Sequence, residues 1–197
     1  MDPNAVLDVF RETHALREGH FVLPSGWHGS AYLQRQKLLE YPEKVEILAS
    51  ELVKKIAANE LLNFTHFVAP SLGGLIVALQ TARIMQKSAL WLRREAGLFT
   101  TGPANIPPNS NAFIIQDVVG AGSLCISTIE ALRSMSVNTI GIGCFIDRSQ
   151  DKPDLGVPLI SLAPLKLPVY AAENVPRELA EIPAIETTPV APFNWQD

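Results

Sequence analysis

Apolar positions along the chain recur with two periods, and the two alternate. Val6, Leu7, Val9 and Phe10 give one apolar side to a short N-terminal helix over residues 3–16, with Pro3 in its first turn. Gly19 breaks that pattern, and residues 20–33 read as a strand and turn leading into a second short strand at Ala31–Gln34. Val45, Leu48, Leu52 and Ile56 then recur at three- and four-residue spacing behind Pro42, which predicts a helix to about Ala58. Phe64–Ala69 is a short apolar run suited to a buried parallel strand. Helical spacing resumes over Leu75–Met85, and Ser88–Leu92 reads as a strand. A further strand at Phe113–Gln116, a helix over Ser123–Met135 and strands at Thr139–Ile146 and Val157–Leu162 complete the series. Gly141 and Gly143 inside a strand imply close approach of a neighbour.

Strands thus alternate with helices from residue 43 to residue 162, which predicts a parallel α/β sheet covered on both faces, with right-handed crossovers. Ligands of such sheets sit beyond the carboxyl ends of the strands. The loops 70–74, 93–108, 117–123 and 147–150 all follow strands and are expected to converge there. The stretch 93–108 has no periodicity and is long for a connection, so it reads as a functional or mobile loop. The tail beyond Lys166 is Pro-rich, with one short turn or helix expected at Arg177–Ile182. The length of 197 residues suits one domain.

The most telling span is Asn111–Ser127. An apolar strand ends in Asp117, the small-residue turn Gly120-Ala121-Gly122-Ser123 follows, and a helix begins. Backbone N–H groups of such a turn, with the positive end of the helix, suit a phosphate. The same turn also fits plain strand-to-helix packing, and Ser123 fits either a ligand contact or a helix cap.

Composition narrows the field. A formal net charge of −4 gives no global pull toward nucleic acid. No apolar run approaches the roughly 18 residues of a membrane span. The N-terminus has no signal-peptide pattern, and the cytoplasm is expected. Cys125 and Cys144 stand alone, without the spacing of a zinc site, and read as two buried thiols.

Several segments resemble the orotate phosphoribosyltransferase family: EGHFVLPSGWHGSAYLQRQKLL (18–39), VAPSLGGLIVALQTAR (68–83), IIQDVVGAGS, GCFIDRS (143–149), GVPLISL and LPVY. The similarity covers roughly residues 5–185 in order. It implies a type I phosphoribosyltransferase fold: a Rossmann-like parallel sheet flanked by helices, with a small hood. Residues 1–185 would form one domain, with a core at about 43–165, a hood from 18–40 and 166–185, and a flexible tail at 186–197. The activity implied is reversible transfer of 5-phosphoribose from phosphoribosyl diphosphate to orotate, a step of pyrimidine biosynthesis. Magnesium, carried with the diphosphate and met by Asp117, and a homodimer are implied with it.

Carried over position by position, the resemblance makes Asp117 the retained catalytic acid, with Gln116 in place of its acidic neighbour as an uncharged ligand contact that can hydrogen-bond a ribose hydroxyl. Gly120, Ala121, Gly122 and Ser123 would take the 5'-phosphate, and Ser71, Gly73 and Gly74 the diphosphate. Arg93 and Arg94 would reach a phosphate, Arg148 the orotate carboxylate, and His28 a ligand edge. Trp27 replaces an arginine in the SGWHG turn, Tyr32 aligns with an aromatic at the site edge, Arg35 replaces a lysine, and Lys37 lies nearby. The lysine expected on the long loop falls at Gly97 or Leu98, and no Lys, Arg or His occurs from 95 to 110. Two readings follow: an active transferase, or a catalytically inactive relative serving as a nucleotide-binding or protein-interaction module. A different enzyme on the same scaffold is a third, because fold does not fix function.

Overall fold

The computed structural model describes residues 1–95, 98–101, 106–151 and 153–187. In chain order the elements are α1 (Pro3–Glu12), β1 (Leu16–Val22), β2 (His28–Leu33), α2 (Gln36–Leu39), α3 (Pro42–Ala58), β3 (His66–Ala69), α4 (Leu72–Met85), β4 (Ser88–Trp91), β5 (Arg93–Glu95) and β6 (Leu98–Thr100). There follow β7 (Asn111–Ile115), β8 (Val118–Val119), α5 (Ser123–Ser134), β9 (Asn138–Asp147), β10 (Leu159–Pro164), β11 (Val169–Tyr170), α6 (Arg177–Ala180) and β12 (Ile185–Glu186).

The main sheet has the order β10-β9-β7-β3-β4, with every pairing parallel and β8 added beside β9. Its central strand explains why the sequence there is apolar without a break. Phe113 and Ile115 enter a core with Phe67, Leu48, Leu52 and Val77, while Ala112 and Ile114 enter a second core with Val68, Cys125, Leu132 and Cys144. Successive side chains point to opposite faces, and helices cover both, so neither face is left for polar residues. Phe64, Phe67 and Phe113 form an aromatic cluster, with ring centroids 4.8–5.9 Å apart. Both cysteines are free and buried.

A smaller sheet, β11-β2-β1-β12, joins the N-terminal hairpin to the C-terminal segment. This is the hood that the resemblance implied, built from both ends of the described chain. Its outer strands β11 and β12 are two residues each and were not legible in the Pro-rich tail.

Several boundaries differ from the pattern-based expectation. α1 stops at Glu12 instead of residue 16, because Thr13 closes it and His14 takes a left-handed φ of 55°. α4 begins at Leu72 instead of Leu75: the Ser71 hydroxyl caps it by accepting from the Gly74 N–H at 3.1 Å, so the two glycines fall inside its first turn. The stretch 93–108 is not all irregular, since Arg94 pairs with Phe99 in the β5–β6 hairpin. Gly97, one candidate for the loop-lysine position, and the tail from residue 188 lie outside the described residues.

Gly141 and Gly143 do permit close approach. A Cβ at Gly143 would lie 2.9 Å from Ile115 Cδ1 and 3.0 Å from Phe113 Cε1. Gly143→Ala is therefore expected to destabilise the fold by about 1–3 kcal/mol. Gly120→Ala, where a Cβ meets nothing within 4 Å, should stay within about 0.5 kcal/mol of wild type. Chemical denaturation of the two variants checks the contrast.

Candidate functional site

Asp117 sits just past the end of β7, and backbone bonds fix it there. The Gln116 N–H donates to Gly143 O at 3.0 Å, the Asp117 carbonyl accepts from the Phe145 N–H at 3.1 Å, and the Arg148 N–H donates to Val119 O at 2.7 Å. These bonds zip the segment onto β9 and leave the carboxylate pointing across the strand ends. It lands against Gly73, where a Cβ would lie only 2.4 Å from Asp117 Oδ2, while a Cβ on Gly74 would lie 2.6 Å from Ile115 O. The two glycines of the α4 turn thus make room for the acid and its strand.

The Asp117 side chain is 3 % exposed, and neither carboxylate oxygen has a hydrogen-bond partner. Arg35 Nε stands 3.3 Å from Oδ2 as an ion pair. Burial pushes the Asp117 carboxyl above the usual carboxylate range, while Arg35 and, less strongly, the backbone N–H groups of Val118 and Asp117 pull it part of the way back.

Two cavities share Arg35 of this pair, and a third adjoins them through Ser71, Leu72 and Leu124. One of ≈ 410 Å³ is lined by Arg35, Leu39, Ser71, Gly73, Ile76 and Asp117. A second of ≈ 190 Å³ lies over Gln116 and the turn Gly120–Ser123, with Arg35 again in its wall. A third of ≈ 430 Å³ is bounded by Ser71, Leu72, Trp91, Arg93, Arg94 and Phe99. Shared walls join them into a groove over the carboxyl ends of β3, β4 and β7, as the topology of such sheets predicts.

The turn at the head of α5 has the form of an anion cradle. Gly122 is the N-cap with φ 86° and supplies no side-chain cap. Ser123 is therefore the first helical residue and not the cap, one of its two expected roles. The first N–H groups of α5 thus have no side-chain acceptor at the N-cap, and an anion would satisfy them.

The other candidates divide. Ser71 caps α4 and lines two of the cavities. Arg93 binds Glu95 at 2.6 Å, yet its Nε is buried and unpartnered. Arg94 lies 4.7 Å from the Phe99 ring. Arg148 also has a buried, unpartnered Nε, and burial followed by the charge of Arg35 pushes its guanidinium down. Gln116 is turned inward: its Nε2–H donates to Cys125 Sγ at 3.0 Å, and burial pushes that thiol up to about 11. His28 belongs to the hood, where its Nδ1 meets His20 Nε2 at 2.6 Å while His20 Nδ1 donates to Ile182 O at 2.9 Å. Trp27 is half exposed, Tyr32 packs near Phe21, and Lys37 pairs with Glu40.

Arg35, Trp91 and Phe99 are the site residues that motif reading left out of its candidates. For Arg35 the signal was present as the basic end of YLQR, while Trp91 and Phe99 carry no motif at all.

The donors present do not fit a magnesium ion held by the protein. One carboxylate faces a guanidinium, its neighbour is an amide bound to sulfur, and among the described residues no three His, Cys, Asp or Glu side chains converge.

A five-stranded parallel path with a hood over its carboxyl end and a phosphate-sized turn after the central strand defines the type I phosphoribosyltransferase class. No protein-family model matches the chain. The orotate phosphoribosyltransferase of Brucella ovis is 36% identical over 186 residues, which is 94% of this chain and 97% of that one. Among solved structures, orotate phosphoribosyltransferase from Aeropyrum pernix superposes with a TM-score of 0.67 at 24% identity, covering 81% of this chain and 93% of that one. The Mycobacterium tuberculosis enzyme in complex with inorganic phosphate gives 0.65 at 15% identity, over 83% and 96%. The chain belongs to the orotate phosphoribosyltransferase family.

A buried carboxyl whose folded value is raised lowers stability once ionised. The penalty is absent below the unfolded aspartate value of about 3.9, grows as pH rises toward the folded value, and is complete above it. Asp117→Asn removes it. The variant is expected to melt about 2–4 °C higher than wild type at pH 7, with the gap closing below about pH 4. Calorimetric melting across pH checks the sign, and a lower melting point at pH 7 would contradict it.

Proposed function

We propose that this groove binds a 5-phosphoribosyl ligand, either phosphoribosyl diphosphate or a nucleoside monophosphate, and that transfer of phosphoribose to orotate is slow or absent. The observation that carries the reading is the uncapped head of α5 beside Asp117. It offers backbone donors for a phosphate and, one strand end away, an acceptor for ribose hydroxyls. Ser71 and the Arg93–Arg94 pair extend the groove toward a diphosphate, and the Arg148 guanidinium suits a planar carboxylate.

Slow transfer follows from what stands where charge must be stabilised. A departing diphosphate gathers negative charge, and preorganised positive groups there are usually the largest single contribution to rate. Residues 95–110 contain no Lys, Arg or His. Gln116 brings no charge and is bound to Cys125. The ligand-binding reading is thus favoured over the active transferase.

Residues 1–185 are proposed as one working unit, since the groove needs both the main sheet and Arg35 from the hood side. A homodimer is proposed with it: Leu72, Leu79, Trp91 and Ile126 leave large apolar side chains exposed on elements flanking the groove. Free Cys125 and Cys144 are in keeping with a cytoplasmic setting. Among the described residues no helix is long and apolar enough to cross a membrane.

Calorimetric titration with phosphoribosyl diphosphate tests the binding claim. Saturable binding is expected, and Ser123→Asp should weaken it at least about tenfold, because its carboxylate faces the phosphate. The same substitution places an acid at the head of α5 and should leave the melting temperature unchanged or higher. Absence of binding at millimolar ligand, or an unaffected Ser123→Asp variant, would overturn the assignment. Orotate turnover is expected at least about a thousandfold below that of the Brucella ovis relative assayed in parallel.

A further inference from the structure

We infer that Arg35 occupies the place of a divalent cation in this groove, so that the site takes a phosphate-bearing ligand without metal. This rests on the ligand-binding reading above and adds to it the source of the positive charge.

Charge balance carries the argument. Two adjacent acids at a strand end would bring two negative charges to one point beside a phosphorylated ligand, and a dication is the natural counterweight. Here position 116 is a neutral Gln bound to Cys125, so of the two motif positions only Asp117 carries a carboxyl. Its Oδ2 is met by Arg35 Nε at 3.3 Å. A single guanidinium balances a single carboxylate, and a dication brought to the same oxygen would face repulsion from Arg35.

The position of Arg35 fits the role. It walls both the ≈ 410 Å³ cavity with Ser71 and Gly73 and the ≈ 190 Å³ cavity over the Gly120–Ser123 turn. A ligand spanning the two must pass it. Its side chain is 47 % exposed, so donors not directed at Asp117 stay available on the groove side. A guanidinium offers five N–H donors in a fixed fork that matches phosphate oxygens. Arg148 adds a second guanidinium close enough for the two to repel, and its buried Nε has no partner. Two guanidiniums near enough to repel are relieved by an anion brought to them and not by a cation.

The test is calorimetric titration of the full chain with phosphoribosyl diphosphate, once in excess EDTA and once in magnesium, for wild type, Arg35→Gln and Arg35→Lys. Wild type is expected to bind with affinities that agree within about threefold in the two buffers. Arg35→Gln should lose at least about tenfold in EDTA, with Arg35→Lys between the two because it keeps the charge without the fork. Wild-type binding that weakens more than about tenfold in EDTA would overturn the metal-free site while leaving the ligand assignment standing. Equal binding by Arg35→Gln in EDTA would also overturn it. No wild-type binding in either buffer would remove both. The wild-type comparison needs no variant to fold, so the proposal is decided even if Arg35→Gln does not.

Discussion

The burial of one carboxylate at the end of the central strand is the constraint around which the rest of the groove is arranged. Asp117 is held by backbone bonds to β9, and it reaches across the sheet only because residue 73 has no side chain. Moving that acid would require moving the strand, the first turn of α4, or both. No side chain donates a hydrogen bond of good geometry to the carboxyl, and burial raises it, so the fold holds it at a cost in stability. A group kept in such a setting, in the wall of a cavity, is better explained by a ligand than by packing.

Around that fixed point the chain separates scaffold from chemistry. The parallel sheet flanked by helices is that of the family fold. The charge at the site rests on a few positions. An amide bound to a thiol stands beside the acid, small residues form the phosphate turn, and no basic side chain follows Arg94 until after residue 110. Gln116 belongs to the packing between β7 and α5: its amide is buried and donates to Cys125 Sγ.

Much of the fold was legible because its signals are local. Helical spacing in α3, the apolar runs of β3, β7 and β9, and the glycines at 141 and 143 each follow from one period or one close contact. The hairpin of β5 and β6 was not legible, since three-residue strands carry no period, and β11 and β12 depend wholly on β2 and β1 for their definition. At the site, Asp117 and the turn after it could be read from the order strand, small residues, helix. The partnership of Arg35 with Asp117 could not, because the two lie 82 positions apart and meet only through the hood. The inward turn of Gln116 was hidden for a similar reason: a glutamine beside a catalytic acid reads as a ligand contact until the neighbouring thiol is placed.

The most direct test of the account is an amide map of the α5 turn. Ribose 5-phosphate would be titrated into ¹⁵N-labelled protein while backbone N–H shifts are followed by nuclear magnetic resonance. The account predicts saturating shifts concentrated at Gly120, Ala121, Gly122 and Ser123, with Thr65 and Asn111 at the opposite end of the strands unmoved. Shifts absent from the turn at saturating ligand, or spread evenly over the surface, would contradict it.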